Sequence, residues 1–331
     1  MSRPIVDFLP TSDPLLRNPR LEYALSLPVL GIDTRFESNS QYVIDLADEA
    51  FGAWRTLAPE MRSSTASVCV RLVVHDNAEH GHAPSPVRHI STDDGRLLVH
   101  SPGSLAIVDP SRRESLAYVT TSLVAHREHF RETVLEAITF ALLASFDRHP
   151  IHAAAIIRGG HAVLLAAPSG TGKSTLAYLA HRAGIGVLSD DHVWVQLEPA
   201  LRIWGGPLNV RLVAEASGHF PELSELAPAS LTRGTLKTAL KLGDVSQADH
   251  ARCDSATVCV MTRGAKVALD RIGGSEMAEE LARQLTPGFD RFAGRHDEVV
   301  RALTADGGWR LTLSANPFDA LPLLQRMLDE R

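Results

Sequence analysis

Lys173 and Ser174 close the run Ala167-Pro168-Ser169-Gly170-Thr171-Gly172-Lys173-Ser174, and their types and spacing suit the grip of a phosphate chain. Gly170 and Gly172 let the backbone turn so that successive N–H groups point inward, and a helix opening at Lys173 adds the positive end of its dipole. Lys173 would reach the β- and γ-phosphates and Ser174 would ligate Mg²⁺. The run follows the phosphate-loop pattern GxxxxGK plus Ser or Thr, with Ala167 in place of the first glycine. A methyl group there crowds the backbone around the phosphates if it faces the loop. Ser169, Gly170, Thr171, Gly172, Lys173, Ser174 and Thr175 are the candidate nucleotide-binding residues.

Two carboxylates follow at a second place. Ser189-Asp190-Asp191 ends an apolar run from Ile185 to Leu188. Carboxylates at a strand end shortly after a phosphate loop can serve Mg²⁺ and the attacking hydroxyl, although an acidic turn or helix cap has the same composition. Further on, Gly205-Gly206-Pro207 is a turn, Arg211 and Lys237 are candidate phosphate or transition-state cations, and Arg233-Gly234 suits a loop closing over an acceptor. Each of these also fits an ordinary surface charge. His75, His80, His82 and His89 lack the paired spacing of a zinc site and suit a solvated hairpin loop. Cys69, Cys253 and Cys259 are scattered, as buried small residues are.

The elements that must position these groups are legible around the loop. Ala162 to Ala167 is an apolar run of strand length, and Leu176, Leu179, Ala180 and Ala183 recur at helical spacing until Gly184. Before it, Ile151 to Ile157 and the turn Arg158-Gly159-Gly160 predict an antiparallel hairpin, where ordinary phosphate-loop folds have a parallel crossover. His126 to Arg148 has a helical face of Phe130, Val134, Ile138, Ala141, Leu142 and Phe146, with Pro150 as its stop. The chain therefore divides into a small α+β domain over 1–149 and an α/β phosphate-loop domain over 150–331.

In the first domain, 1–25 is predicted as a surface arm or edge element, Pro28 to Phe36 as a strand and the segment from Tyr42 to Trp54 as an amphipathic helix. Strands are predicted over Ser67 to His75, Val87 to Ser91, Arg96 to His100, Leu105 to Val108 and Tyr118 to Val124. In the second, strands are predicted over Ala256 to Met261, Lys266 to Ile272 and Trp309 to Leu313, and helices over Ser275 to Leu285 and Pro317 to Arg331.

With 331 residues, 44% hydrophobic and 22% charged, the composition is that of a soluble globular protein. A net charge of −6 without a basic patch argues against a nucleic-acid partner. The N-terminal stretch lacks a signal-peptide core and no run approaches a membrane span, so no membrane partner and a cytoplasmic location are expected.

Three of these pieces, His152 in IHAAAIIRGG, the loop PSGTGKST and the SDD of 189 to 191, together resemble the catalytic domain of the HPr kinase/phosphorylase family, whose nucleotide-binding core is similar to that of phosphoenolpyruvate carboxykinase. His152 lies 21 residues before Lys173 and Asp190 lies 17 after it, as in that family. The resemblance implies a mixed-sheet phosphate-loop domain that uses ATP and Mg²⁺. By position it makes Asp190 the general base, Asp191 a metal or outer carboxylate, and His152 a polar group beside the transferred phosphoryl. His152 alone reads equally as a satisfied strand histidine.

Thr175 stands where the classical enzymes carry a glutamate, and WGGPLNVRLVAE stands for their long segment tied to phosphorolysis. The resemblance thus carries the kinase direction and not the reverse. The layout is more similar to HPr-kinase-related proteins that tailor peptides, lasso-peptide kinases among them. That implies a serine of a peptide or small protein as acceptor, and the hexameric classical family makes a homo-oligomer an expectation. A small-metabolite kinase and a nucleotide-hydrolysing switch stay open. So does a loop that has lost its activity, and no base-reading motif separates ATP from GTP.

Overall fold

The computed structural model describes residues 19–63, 66–76, 83–206, 209–213, 216, 218–225, 230–232, 235–241, 252–284 and 295–330. Two compact units follow one another in sequence, with Arg148 in the first and His149 in the second.

The first unit is a seven-stranded sheet backed by helices. Its strands are β1 (Tyr23–Val29), β2 (Ile32–Ser38), β3 (Ser67–His75), β4 (Arg88–Ser91), β5 (Leu97–Ser101), β6 (Ser104–Asp109) and β7 (Glu114–Thr120), in the order β1-β2-β3-β7-β6-β5-β4. β3 runs parallel to both β2 and β7, and the other pairs are antiparallel. Helix α1 (Gln41–Phe51) starts at Ser40, whose hydroxyl accepts from Val43 N, and it buries Val43, Leu46, Ala47 and Phe51. Phe51 stacks on Phe36 of β2 with ring centroids 5.1 Å apart. Each large side chain buried this fully is worth roughly 1.5–3 kcal/mol.

Four expectations are corrected here. The Pro28–Phe36 strand is two strands, because Leu30 and Gly31 turn with φ of 51° and 78°. β7 stops at Thr120, whose hydroxyl caps α2 (Thr121–Ala125), so the strand placed over Tyr118–Val124 changes to helix midway. The long helix is α3 (Arg127–Phe130), a π-helical turn over Arg131–Leu135 and α4 (Glu136–Ala144), ending four residues early. Asp147 takes a left-handed φ of 59° beyond it, and Pro150 sits inside a strand instead of acting as the stop. Finally, β3 and β4 lie apart in the sheet, so the segment between them is no hairpin. His75 and His89 hydrogen-bond the carbonyls of Gly103 and Thr133, whereas His80 and His82 lie outside the described residues.

The second unit holds three sheets. Its strands are β8 (His149–Ile151), β9 (Ala153–Arg158), β10 (His161–Ala166), β11 (Gly186–Ser189), β12 (Val193–Gln196), β13 (Arg202–Trp204), β14 (Asn209–Val213), β15 (Ser230–Thr232), β16 (Thr235–Lys241), β17 (Arg252–Cys253), β18 (Ser255–Arg263), β19 (Ala268–Ile272) and β20 (Gly308–Leu313). The main sheet runs β11-β9-β10-β18-β20-β19, a second runs β17-β13-β12-β8, and a third runs β14-β16-β15. β9 and β10 form the predicted antiparallel hairpin across Gly159-Gly160, while β10, β18 and β20 are mutually parallel.

Both faces of the main sheet are covered, which is why β10 is buried at every position and shows no alternation. On one face, Val163 and Leu165 pack with Leu176 and Leu179 of α5 (Lys173–Arg182) and Leu324 of α8 (Leu321–Asp329). On the other, Ala162 and Leu164 pack with Met277 of α6 (Gly274–Gln284), Val299 of α7 (His296–Thr304) and Val193 and Val195 of β12. Helix α7 and strands β13 to β17 were not anticipated from sequence, and Pro317–Ala320 is a 3-10 turn ahead of α8. Cys253 and Cys259 are buried, Cys69 is half-buried, and all three are free.

Candidate functional site

Strand register gathers the candidate residues at one end of the main sheet. β9 lies between β10 and β11, and its first residue, Ala153, faces Ala166, the last residue of β10. On its other side Ala155 faces Ser189, the last residue of β11. His152, the loop that leaves β10 and the Asp190-Asp191 pair that leaves β11 thus emerge together. Val193 of β12 pairs with Ile151 of β8, so continuing that antiparallel register sets His192 opposite His152. At His152 the chain passes from the second sheet to the main one, and at His192 it passes from the main sheet to the second.

The loop from Ala167 to Gly172 enters α5 directly. Gly170 and Gly172 adopt φ of 84° and 120°, conformations that L side chains resist. Gly172 is the N-cap of α5 and has no side chain to satisfy the first-turn amides, which leaves them for an anion or water. Ala167 is fully buried within the apolar cluster that includes Leu165, Leu176 and Leu179. Its methyl group therefore packs into the core, and the crowding expected of it at the loop does not arise. Ser169 and Gly170 are exposed, and Thr171, Ser174 and Thr175 are half-buried. Lys173 is 6% exposed, and its ammonium donates to the carbonyl oxygens of Ala167 at 2.7 Å and Pro168 at 3.4 Å.

Asp191 is held by two histidines. His152 Nε2 lies 2.9 Å from one carboxylate oxygen and His192 Nδ1 lies 2.9 Å from the other. The two imidazoles stack with centroids 5.0 Å apart and planes 16° from parallel. Burial opposes ionisation of Asp191, but hydrogen bonds from His152 and His192, and their charges, hold its carboxyl far below the usual carboxylate range. The turn is shaped by Ser189, whose buried hydroxyl accepts from the backbone N–H of Asp191 at 3.5 Å and His192 at 3.3 Å. Asp190 is half-buried in the same turn.

Two further residues flank this end of the sheet. Gly205 runs so close to β11 that a Cβ there would lie 2.2 Å from the Leu188 carbonyl, so only glycine fits. Gly205 and Gly206, just after β13, therefore abut the strand that leads to Asp190; no turn is assigned to either, and Pro207 of the expected turn lies outside the described residues. Arg263, the last residue of β18, places Nη2 3.0 Å from where a Gly172 Cβ would stand and donates from Nη1 to Ser314 O at 3.0 Å. Sequence reasoning overlooked Arg263 and His192. The signals were a cation two residues past the apolar run that ends at Met261 and a histidine directly after the carboxylate pair.

The other candidate cations are not shown at this site. Arg211 pairs with Ala239 and Lys237 with Val213 in the third sheet, and Arg233 lies outside the described residues. β14 does pack beside α5, through Val210 and Leu212 in the core that holds Leu176.

Among the described residues no group of three or more His, Cys, Asp and Glu is arranged to hold a metal by itself. Mg²⁺ binds through one or two protein ligands together with substrate phosphates and water. Each Asp191 oxygen accepts one of the two histidine bonds and keeps lone-pair capacity for a cation. Ser174, on the first turn of α5, supplies a hydroxyl. The open first turn of α5 and the buried ammonium of Lys173 likewise fit a nucleotide's phosphates.

No protein-family model matches the chain, and no curated protein matches it. Among solved structures, the chain is similar to the HPr(Ser) kinase/phosphatase from Coxiella burnetii over 54% of its own length and 95% of that chain, with 10% identity and a TM-score of 0.29. No helix among the described residues is long and apolar enough to cross a membrane.

Proposed function

We propose that this chain is an ATP- and Mg²⁺-dependent phosphotransferase that moves the γ-phosphoryl group to a hydroxyl, with a serine of a peptide or small protein as its acceptor. The observation that supports this best is the strand register, which brings the glycine loop, His152 and the Asp190-Asp191 pair to one end of the sheet. The peptide class of the acceptor, and the lasso-peptide tailoring role within it, rest on the resemblance in sequence alone.

In this reading the loop amides and Lys173 bind the phosphate chain, Lys173 swinging from the Ala167 and Pro168 carbonyls toward it. Ser174 and Asp191 would hold Mg²⁺, which neutralises charge on the β- and γ-phosphates when bound. Asp190 takes the proton from the acceptor hydroxyl as the oxygen attacks the γ-phosphorus in line. His152 anchors Asp191 through Nε2.

The test is incubation of the purified protein with ATP, Mg²⁺ and a panel of peptides encoded beside its gene, read by intact mass. One added phosphoryl group on a serine is the expected result. ATP turnover with no modified peptide in the panel would contradict the peptide-acceptor assignment and favour a metabolite kinase or a hydrolytic switch.

A further inference from the structure

Consecutive residues of a strand point to opposite faces, yet Asp191 and His192 meet. The bend at Asp190 and Asp191, held by Ser189 Oγ, folds the imidazole back over the carboxylate. The outcome is a carboxylate gripped on both oxygens by two rings that also stack on one another. One donor would leave Asp191 free to rotate about its terminal torsion, which is broad for a carboxylate. Two donors on opposite oxygens remove that freedom.

We propose that His192 is a positioning residue that, with His152, fixes the plane of Asp191 so that the carboxylate meets a nucleotide-bound divalent cation in one orientation. This rests on the phosphotransferase reading and adds a role to it. His192 does not touch the reacting atoms; it acts through Asp191. Partners that orient a ligating carboxylate typically change metal affinity by about 10- to 100-fold when removed.

The experiment measures Mn²⁺ affinity of the nucleotide-loaded protein by electron paramagnetic resonance, with the fold of each variant checked by circular dichroism. His192→Phe keeps a ring to stack on His152 but has no donor, and Mn²⁺ affinity should fall about 10- to 100-fold. His192→Asn places an amide nitrogen where Nδ1 stood and should recover most of that loss. His192→Gln places its amide at the other ring nitrogen's position and should stay weak, which keeps the comparison usable should the Phe variant not fold. Equal Mn²⁺ affinity in wild type, Phe and Gln variants would overturn the role. Equal weakness of the Asn, Gln and Phe variants would overturn it too, since ring packing and not the donor would then matter. Failure of wild type to bind Mn²⁺ with nucleotide would instead bring down the phosphotransferase reading itself.

Discussion

His152 and His192 stack face to face at 5.0 Å, because the β8–β12 register sets them opposite one another where the chain crosses between the second sheet and the main one. Between them Asp191 accepts a hydrogen bond on each oxygen. The relationship ties Asp191 to the two connections that carry His152 and His192.

The clamp makes a pH prediction with a definite sign. The folded-state pKa of Asp191 is depressed, so its contribution to stability is complete above the unfolded carboxylate value of about 4 and is lost as pH falls below it. The stability gap between wild type and Asp191→Asn should narrow as pH falls below about 4. Because the side chain is 49% exposed, solvent screening makes the gap smaller than a fully buried pair would give. Urea unfolding at a series of pH values measures it, and a gap that widened in acid would refute the account.

Lys173→Met removes a buried ammonium from the Ala167 carbonyl. Loss of a charged hydrogen bond to phosphate costs about 1.5–3 kcal/mol, which is about 10- to 150-fold in nucleotide affinity. Titration calorimetry should show that loss while the melting temperature stays near wild type.

Gly172→Ala and Gly170→Ala separate strain from crowding. Both positions have positive φ, but a Cβ at Gly170 meets open space, whereas one at Gly172 meets the Arg263 guanidinium at 3.0 Å. Each should lose about 1–3 kcal/mol of stability from backbone strain, with Gly172→Ala the more costly. Chemical denaturation of the two variants decides this, and equal costs would mean that Arg263 yields without penalty.

Much of this site was legible in the sequence, for identifiable reasons. The loop and α5 follow from glycines and a 3.6-residue period, and the β9–β10 hairpin follows from two apolar runs around Gly159-Gly160. The α7 helix and β13 to β17 were not seen, since their pairing and packing are set by tertiary contacts. Pro150 misled because proline stops a helix as readily as it sits in a strand; the helix had already ended at Ala144. His192 and Arg263 were missed because register, which no local pattern encodes, brings them to the loop end of the sheet.

Arg263→Ala tests the second overlooked residue. If its guanidinium serves the phosphates as well as the Ser314 carbonyl, kcat should fall about 10-fold or more while the fold persists. A lowered melting temperature with unchanged kcat would assign it to the Ser314 contact alone.

The central claim, that this end of the sheet transfers a phosphoryl group with Asp190 as the base, is met most directly by comparing wild type with Asp190→Asn in two readouts on one preparation. The account predicts that phosphoryl transfer by the variant falls about 10²- to 10⁴-fold, the span of general-base catalysis, while nucleotide affinity measured by calorimetry is nearly unchanged. Transfer by the variant at a rate comparable to wild type, or a wild-type protein that binds no nucleotide, would contradict it.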